Sequence, residues 1–232
     1  MTDRPSSEAS IYGRVLEGSM VTHDARGTSI LSLGIVSPRN SGTQDIVPVH
    51  MPLRIAEESG LDKHLLLRRN DRLRDIVVAV HGDIRQYWIY DDSLRRNKMR
   101  MVVFANEMYR LPFGNHGFCG GVDGLIDIQI NPNKVSILGI VHKPVILRRI
   151  RGRRSISELL LSVRSRHRRS LVPCIAFDSL AEEMEGLAPG SKIELTGRFQ
   201  SRDYSSSAQE GEGQAVRTTY EVAINGWTRC QG

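Results

Sequence analysis

The chain has 232 residues, 40% hydrophobic and 25% charged, with a net charge of +6, enough for one large or two small domains with a real core. No apolar run reaches the length of a membrane span, and the polar start is not a secretory signal. Cys119, Cys174 and Cys230 are far apart with no CxxC pair, which argues against a disulfide framework or zinc site and fits a reducing cytoplasm.

Residues 1–127 carry 16 Lys+Arg and 16 Asp+Glu, whereas residues 128–232 carry 16 and 10, so the whole excess lies in the second half. An anionic polymer is expected to meet that half more strongly.

Taken in order, residues 1–9 are polar and expected to be disordered. Strands are predicted over 11–17, 28–37 and 45–51, with a turn-rich loop at 38–43 and Pro48 marking an edge or bulge. Residues 53–67 read as a helix, although Gly60 weakens it. Long strands are predicted over 75–90 and 98–105. Glycines crowd residues 107–124, which read as a linker, and the lone His116/Cys119 pair lacks the other ligands of a structural metal site.

The same order then returns. Residues 135–142 repeat 11–17, residues 156–163 repeat 30–36, and Val172-Pro173-Cys174 lines up with Val47-Pro48-Val49. A short helix fits 178–188. The strand Ile193–Tyr204 lines up with Val78–Trp88, placing Gly197 on Gly82 and Phe199 on Ile84. Residues 205–216 read as a flexible hairpin tip, and 218–224 close the unit. Two copies of five strands, each with a short helix between the third and fourth, describe a mainly β protein of two tandem OB-fold barrels. The boundaries are 10–106 and 125–232.

The strand at 193–204 carries the functional reading. By parity, Ile193, Leu195 and Phe199 share a core face, while Arg198, Gln200, Arg202 and Tyr204 share the opposite face. Guanidinium groups for phosphates and a ring for a base suit a single-stranded nucleic acid. The same pattern also fits a half-buried strand with a solvated face.

Residues 156–163, 172–177, 217–222 and above all Gly197-Arg198-Phe199-Gln200-Ser201-Arg202-Asp203-Tyr204 resemble the single-stranded DNA-binding proteins of Gram-positive bacteria, their phages and plasmids. Within that family the chain is similar to a branch with tandem OB-folds. The resemblance implies sequence-independent binding and protection of single-stranded DNA in replication, recombination or repair. It implies no enzymatic activity, no cofactor and no metal. It also implies a homodimer giving four OB-folds, and a cytoplasmic, nucleoid-associated location. An RNA-binding OB protein and an OB-fold assembly protein are the alternatives. Two departures stand out. The family tends to carry aromatic residues in the loop before Val172, and a tryptophan where Phe177 stands. Here that loop holds Arg164, Arg166, His167, Arg168 and Arg169, which implies a more electrostatic mode. The family's acidic C-terminal recruitment tail is not expected either, since the sequence ends Arg-Cys-Gln-Gly.

The candidate nucleic-acid contacts in the second half are Arg164, Arg166, Arg168, Arg169, Arg198, Arg202, Tyr204 and Arg217, with Arg148, Arg149, Arg151, Arg153 and Arg154 as a further basic run. Phe177 and Tyr220 stand open between stacking and packing, and Phe199 reads as packing. The first half offers Arg39, Arg85, Tyr87 and Trp88, although Trp88 has core parity unless the strand bulges. Asp83 stands where the second half has Arg198, so the first domain is expected to bind more weakly and to serve assembly. No phosphate loop, nucleophile motif or metal motif appears.

Overall fold

The computed structural model describes residues 6–23, 27–39, 41–61, 76–91, 95–111, 131–150, 154–165, 168–205 and 216–230. The strand side chains at 17–23, 88–91, 96–98, 165, 168, 203–205 and 216–217 are not described. Several expectations fall outside these limits: the helix beyond Leu61, the linker from residue 112 to 124, the hairpin tip at 206–215, and Arg166.

The first unit contains β1 (Ser6–His23), β2 (Ser29–Pro38), β3 (Gln44–Pro52), α1 (Leu53–Glu58), β4 (Val77–Asp91) and β5 (Arg96–Leu111). The second contains β6 (Asn133–Val141), β7 (Ile146–Arg149), β8 (Ser155–Ser165), β9 (Arg168–Phe177), α2 (Asp178–Glu183), β10 (Lys192–Ser205) and β11 (Val216–Arg229).

Each unit closes into a barrel. In the first, β1 pairs with β2 and β4, β2 with β3, and β4 with β5, all antiparallel, while a short parallel β3–β5 pairing shuts the ring. The second repeats this with β6, β8, β9, β10 and β11. Alternation drives the strands. Leu31, Leu33 and Ile35 on β2, and Val47, Val49 and Met51 on β3, all turn inward at 0–1% exposure. Leu159, Leu161 and Val163 also turn inward on β8, at 0–5% exposure. Phe199 is the largest fully buried side chain of the chain's described core, and its burial is worth about 3 kcal/mol. The helices plug the barrels: α1 buries Ile55 and Ala56, and α2 buries Ala181.

The repeat is legible in the register. β5 bulges at Asn106, opposite His81 and Gly82, and β11 bulges at Asn225, opposite Thr196 and Gly197, so Gly82 and Gly197 are equivalent. Val49 pairs with Val103 and Cys174 with Val222, so Val49 and Cys174 are equivalent as expected. The first strand is shifted from its expected alignment. Ala9 faces Gly82 and Val135 faces Gly197, which puts Ile11 on Ile137.

Three boundaries also change. Ser6–Ala9, expected to be disordered, belong to β1, because their backbone pairs with β6, and Ala9 pairs with β4 as well. Residues 107–111, expected as linker, belong to β5. Strand β7 is an addition to the five-stranded plan, laid against β8 by residues Ile146–Arg149.

The barrels are joined by main chain. Ser6–Ile11 of β1 pair with Leu138–Asn133 of β6, making one 11-stranded sheet. Side chains extend the junction with approximate two-fold symmetry. The Leu171 amide donates to Gln86 Oε1 at 2.8 Å, and at the equivalent place the Ile46 amide donates to Ser201 Oγ at 3.4 Å. Among the described residues, no helix is long and apolar enough to cross a membrane.

Candidate nucleic-acid interface

Just past Gly197, β10 reaches the other barrel. Arg198 donates to Asp45 Oδ2 at 2.9 Å and to Gln200 Oε1 at 2.7 Å. Arg39 donates to the same carboxylate, through Nε at 2.8 Å and through Nη2. Asp45 is fully buried, while the two arginines keep about a quarter of their side-chain surface, 26% and 27%. Gln200 is buried and donates to Glu221 at 2.7 Å. The polar face of β10, expected to be open to a nucleic acid, is therefore partly a domain junction. Arg198 and Arg39 bracket one carboxylate from opposite barrels.

Other candidates are also engaged. Arg85 holds Asp83 at 3.1 Å and lies 3.5 Å over the Phe104 ring, with 17% of its side chain exposed. A guanidinium stacked and paired in this way is a poor phosphate ligand. Asp83, expected to repel phosphate, also accepts from Asn106 at 2.7 Å, so its charge is answered locally. Tyr220 packs on Phe199 at 5.9 Å and joins the core, which resolves it toward packing. Phe177 is half-buried at the end of β9, opposite Ile156. Tyr87 is half-buried beside His50, with ring centroids 5.7 Å apart. Arg168, Tyr204, Arg217 and Trp88 lie on strands, but their side chains are outside the described set.

The remaining cations stand along β8 of the second barrel, with Arg148, Arg149 and Arg154 at its start and Arg164 and Arg169 at its other end. Arg148 and Arg149 stand on β7 at 63% and 60% exposure, and Arg154 enters β8 at 71%. Their carboxylate partners, Glu158, Glu185 and Asp178, are themselves 40–56% exposed. Such pairs are worth about 0–1 kcal/mol, so phosphates can replace the carboxylates. Arg164 and Arg169 are direct cross-strand neighbours, both exposed. Like charges placed opposite each other destabilise a sheet. Arg169 also donates to Ser162 Oγ at 2.6 Å. Arg164 lines a cleft of about 510 Å³ with Ser6, Asp83 and Asn106 of the first barrel. Arg202 is 53% exposed and 3.4 Å from Glu221.

No family model matches this chain. No curated protein matches it either. Solved structures do. The wild-type single-stranded DNA binding protein from Thermus aquaticus is 18% identical, covers 99% of this chain and 95% of its own, and superposes with a TM-score of 0.68. A deletion mutant of that protein is 19% identical, covers 99% and 96%, and gives 0.66. The chain has the tandem OB-fold. The likeness read from the second half thus extends, as fold, over both halves.

Sequence reasoning misses two features of this tandem OB-fold. β7 has only four residues and no alternation to signal it. Asp45 is readable in part, since it shares parity with Val47, Val49 and Met51 and so points inward from the end of β3.

Proposed function

We propose that this protein binds single-stranded DNA without sequence preference, coating and protecting it during replication, recombination or repair. It does so as a non-enzymatic homodimer presenting four OB-folds. The observation that carries the reading is the Arg164–Arg169 pair. Two exposed guanidiniums face each other across β8 and β9, with Arg148, Arg149 and Arg154 toward the other end of β8 and Arg166 and Arg168 adjacent in sequence. That arrangement is unfavourable until an anion enters, and a flexible phosphate chain supplies several anions at the required spacing. The likeness in fold to a protein named for single-stranded DNA binding supports the same conclusion.

The primary contacts in this reading are Arg148, Arg149, Arg154, Arg164, Arg169 and Arg202. Arg168, Arg166, Tyr204 and Arg217 extend the path by sequence. Arg198 and Arg39 hold the barrels together.

Fluorescence anisotropy with a labelled oligo-dT of about 40 nucleotides tests this. Affinity is expected to fall steeply between about 50 and 200 mM salt. The combined Arg148→Ala, Arg149→Ala and Arg154→Ala variant is expected to flatten the log–log salt slope by about 2, at roughly 0.7 for each phosphate no longer neutralised. In the Arg164→Ala/Arg169→Ala variant, binding should weaken about ten-fold while unfolding stability changes by less than about 1 kcal/mol. Unchanged binding in both variants would remove the β7–β9 face from the interface.

A further inference from the structure

The first barrel carries a group of side chains that its fold does not require. His50 on β3 and Tyr87 on β4 meet across β5, with ring centroids 5.7 Å apart and planes inclined by 39°. Arg100 on β5 pairs directly opposite Tyr87 and is exposed. Both rings are half-buried, and neither belongs to the hydrophobic core. His50 faces outward, because its neighbours Val49 and Met51 on β3 are fully buried inside the barrel.

We propose that His50, Tyr87 and Arg100 form a stacking site on the first barrel for an unpaired nucleobase and its adjoining phosphate. This rests on the single-strand reading above and deepens it.

Three observations support the assignment. The first is the internal repeat. In the second barrel the equivalent positions, set by the β-ladder register, are Ile175, Arg202 and Thr219, none of them a ring. An OB barrel therefore closes without this pair, and the rings have another use. The second is the chemistry. Burial and the Arg100 charge both lower the imidazole pKa of His50, so the ring is neutral near pH 7. A neutral ring stacks without competing with Arg100 for a phosphate. The third is local neutralisation. Asp83 is held by Arg85 at 3.1 Å and by Asn106 at 2.7 Å, so the first barrel's carboxylate no longer opposes an incoming phosphate.

The two barrels then divide the work. The second supplies exposed guanidiniums for the backbone, and the first supplies rings for a base. A duplex hides its base faces, so the site selects single strands.

Full-length protein is titrated with oligo-dT and with an abasic oligonucleotide of the same length. The wild type is expected to bind oligo-dT about ten-fold or more tightly than the abasic chain. The His50→Ala/Tyr87→Ala variant should lose most of that gap while keeping its abasic affinity. Tyr87→Phe should retain the gap, because the ring remains. A second variant, His50→Ile/Tyr87→Arg, copies residues that the other barrel already accommodates, and should lose the gap in the same way. An undiminished gap in that variant would overturn the stacking site and leave the single-strand reading standing. Failure of the wild type to bind either chain would overturn the single-strand reading itself.

Discussion

Gly197→Ala is expected to lower unfolding stability by about 3 kcal/mol, and Gly82→Ala by a similar amount. A Cβ on Gly197 would stand 2.3 Å from the Ala223 carbonyl oxygen, and one on Gly82 would stand 2.1 Å from that of Phe104. Real side chains do not approach backbone oxygen so closely. The offending atoms belong to β11 and β5, which are locked by ladder pairing on both sides of the close approach. Neither glycine has a positive φ, so the demand is for space and not for a left-handed backbone. The bulges at Asn106 on β5 and Asn225 on β11 bend those strands beside the two glycines. Gly226 is the control. Its added Cβ would meet only Thr196 Oγ1 at 3.5 Å, an ordinary separation, so Gly226→Ala should cost less than about 1 kcal/mol. Guanidinium denaturation of the three variants checks the order. Equal costs at all three positions would contradict the close approach.

Asp45→Ala is the second large effect. It removes a fully buried carboxylate that answers Arg39 from its own barrel and Arg198 from the other. Two half-buried guanidiniums would then face each other with no counter-charge. Breaking a buried pair costs about 3–5 kcal/mol, and residual solvent at the arginines places the expected loss near about 3 kcal/mol. Asp45→Asn keeps the shape and should fall between. The interaction energy from a cycle of Asp45→Ala with Arg198→Ala is expected to exceed about 1 kcal/mol. Strict additivity in the denaturation midpoints would mean that the pair does not couple the barrels.

Much of this fold is readable in the sequence because alternation is a local signal. Leu31, Leu33 and Ile35, or Leu159, Leu161 and Val163, declare a strand and its inner face without knowledge of any partner. The equivalence of Gly82 with Gly197 follows from pattern alone and matches the two bulges. What fails depends on partners distant in sequence. Arg198 has outward parity, and parity assigns it to solvent. Its acceptor lies 153 residues away on another barrel. Ser6–Ala9 look like a polar tail, yet pairing with the distant β6, joined by β4 at Ala9, makes them part of a strand. β7 is held by its ladder to β8, so its own four residues give little to read. The basic run around it is visible, but not that Arg148 and Arg149 stand on a sheet edge.

The site is legible in kind more than in detail. The charge asymmetry between the halves points to the second barrel, where Arg148, Arg149, Arg154, Arg164, Arg169 and Arg202 are exposed. The ring pair of the first barrel is half visible, since parity singles out Tyr87 and not His50. Their meeting requires β5 to lie between β3 and β4, a fact of topology and not of spacing.

Whether the tandem OB-fold holds unpaired DNA is decided by competition. A labelled oligo-dT bound at low salt is displaced with unlabelled oligo-dT, with duplex DNA of the same length, and with single-stranded RNA. Unlabelled oligo-dT is expected to displace the label at least ten-fold more effectively than the duplex, a conservative margin for base stacking of about 1–3 kcal/mol per base. RNA should fall between. Duplex that competes as well as oligo-dT would contradict single-strand binding and reduce the basic face to a general polyanion surface.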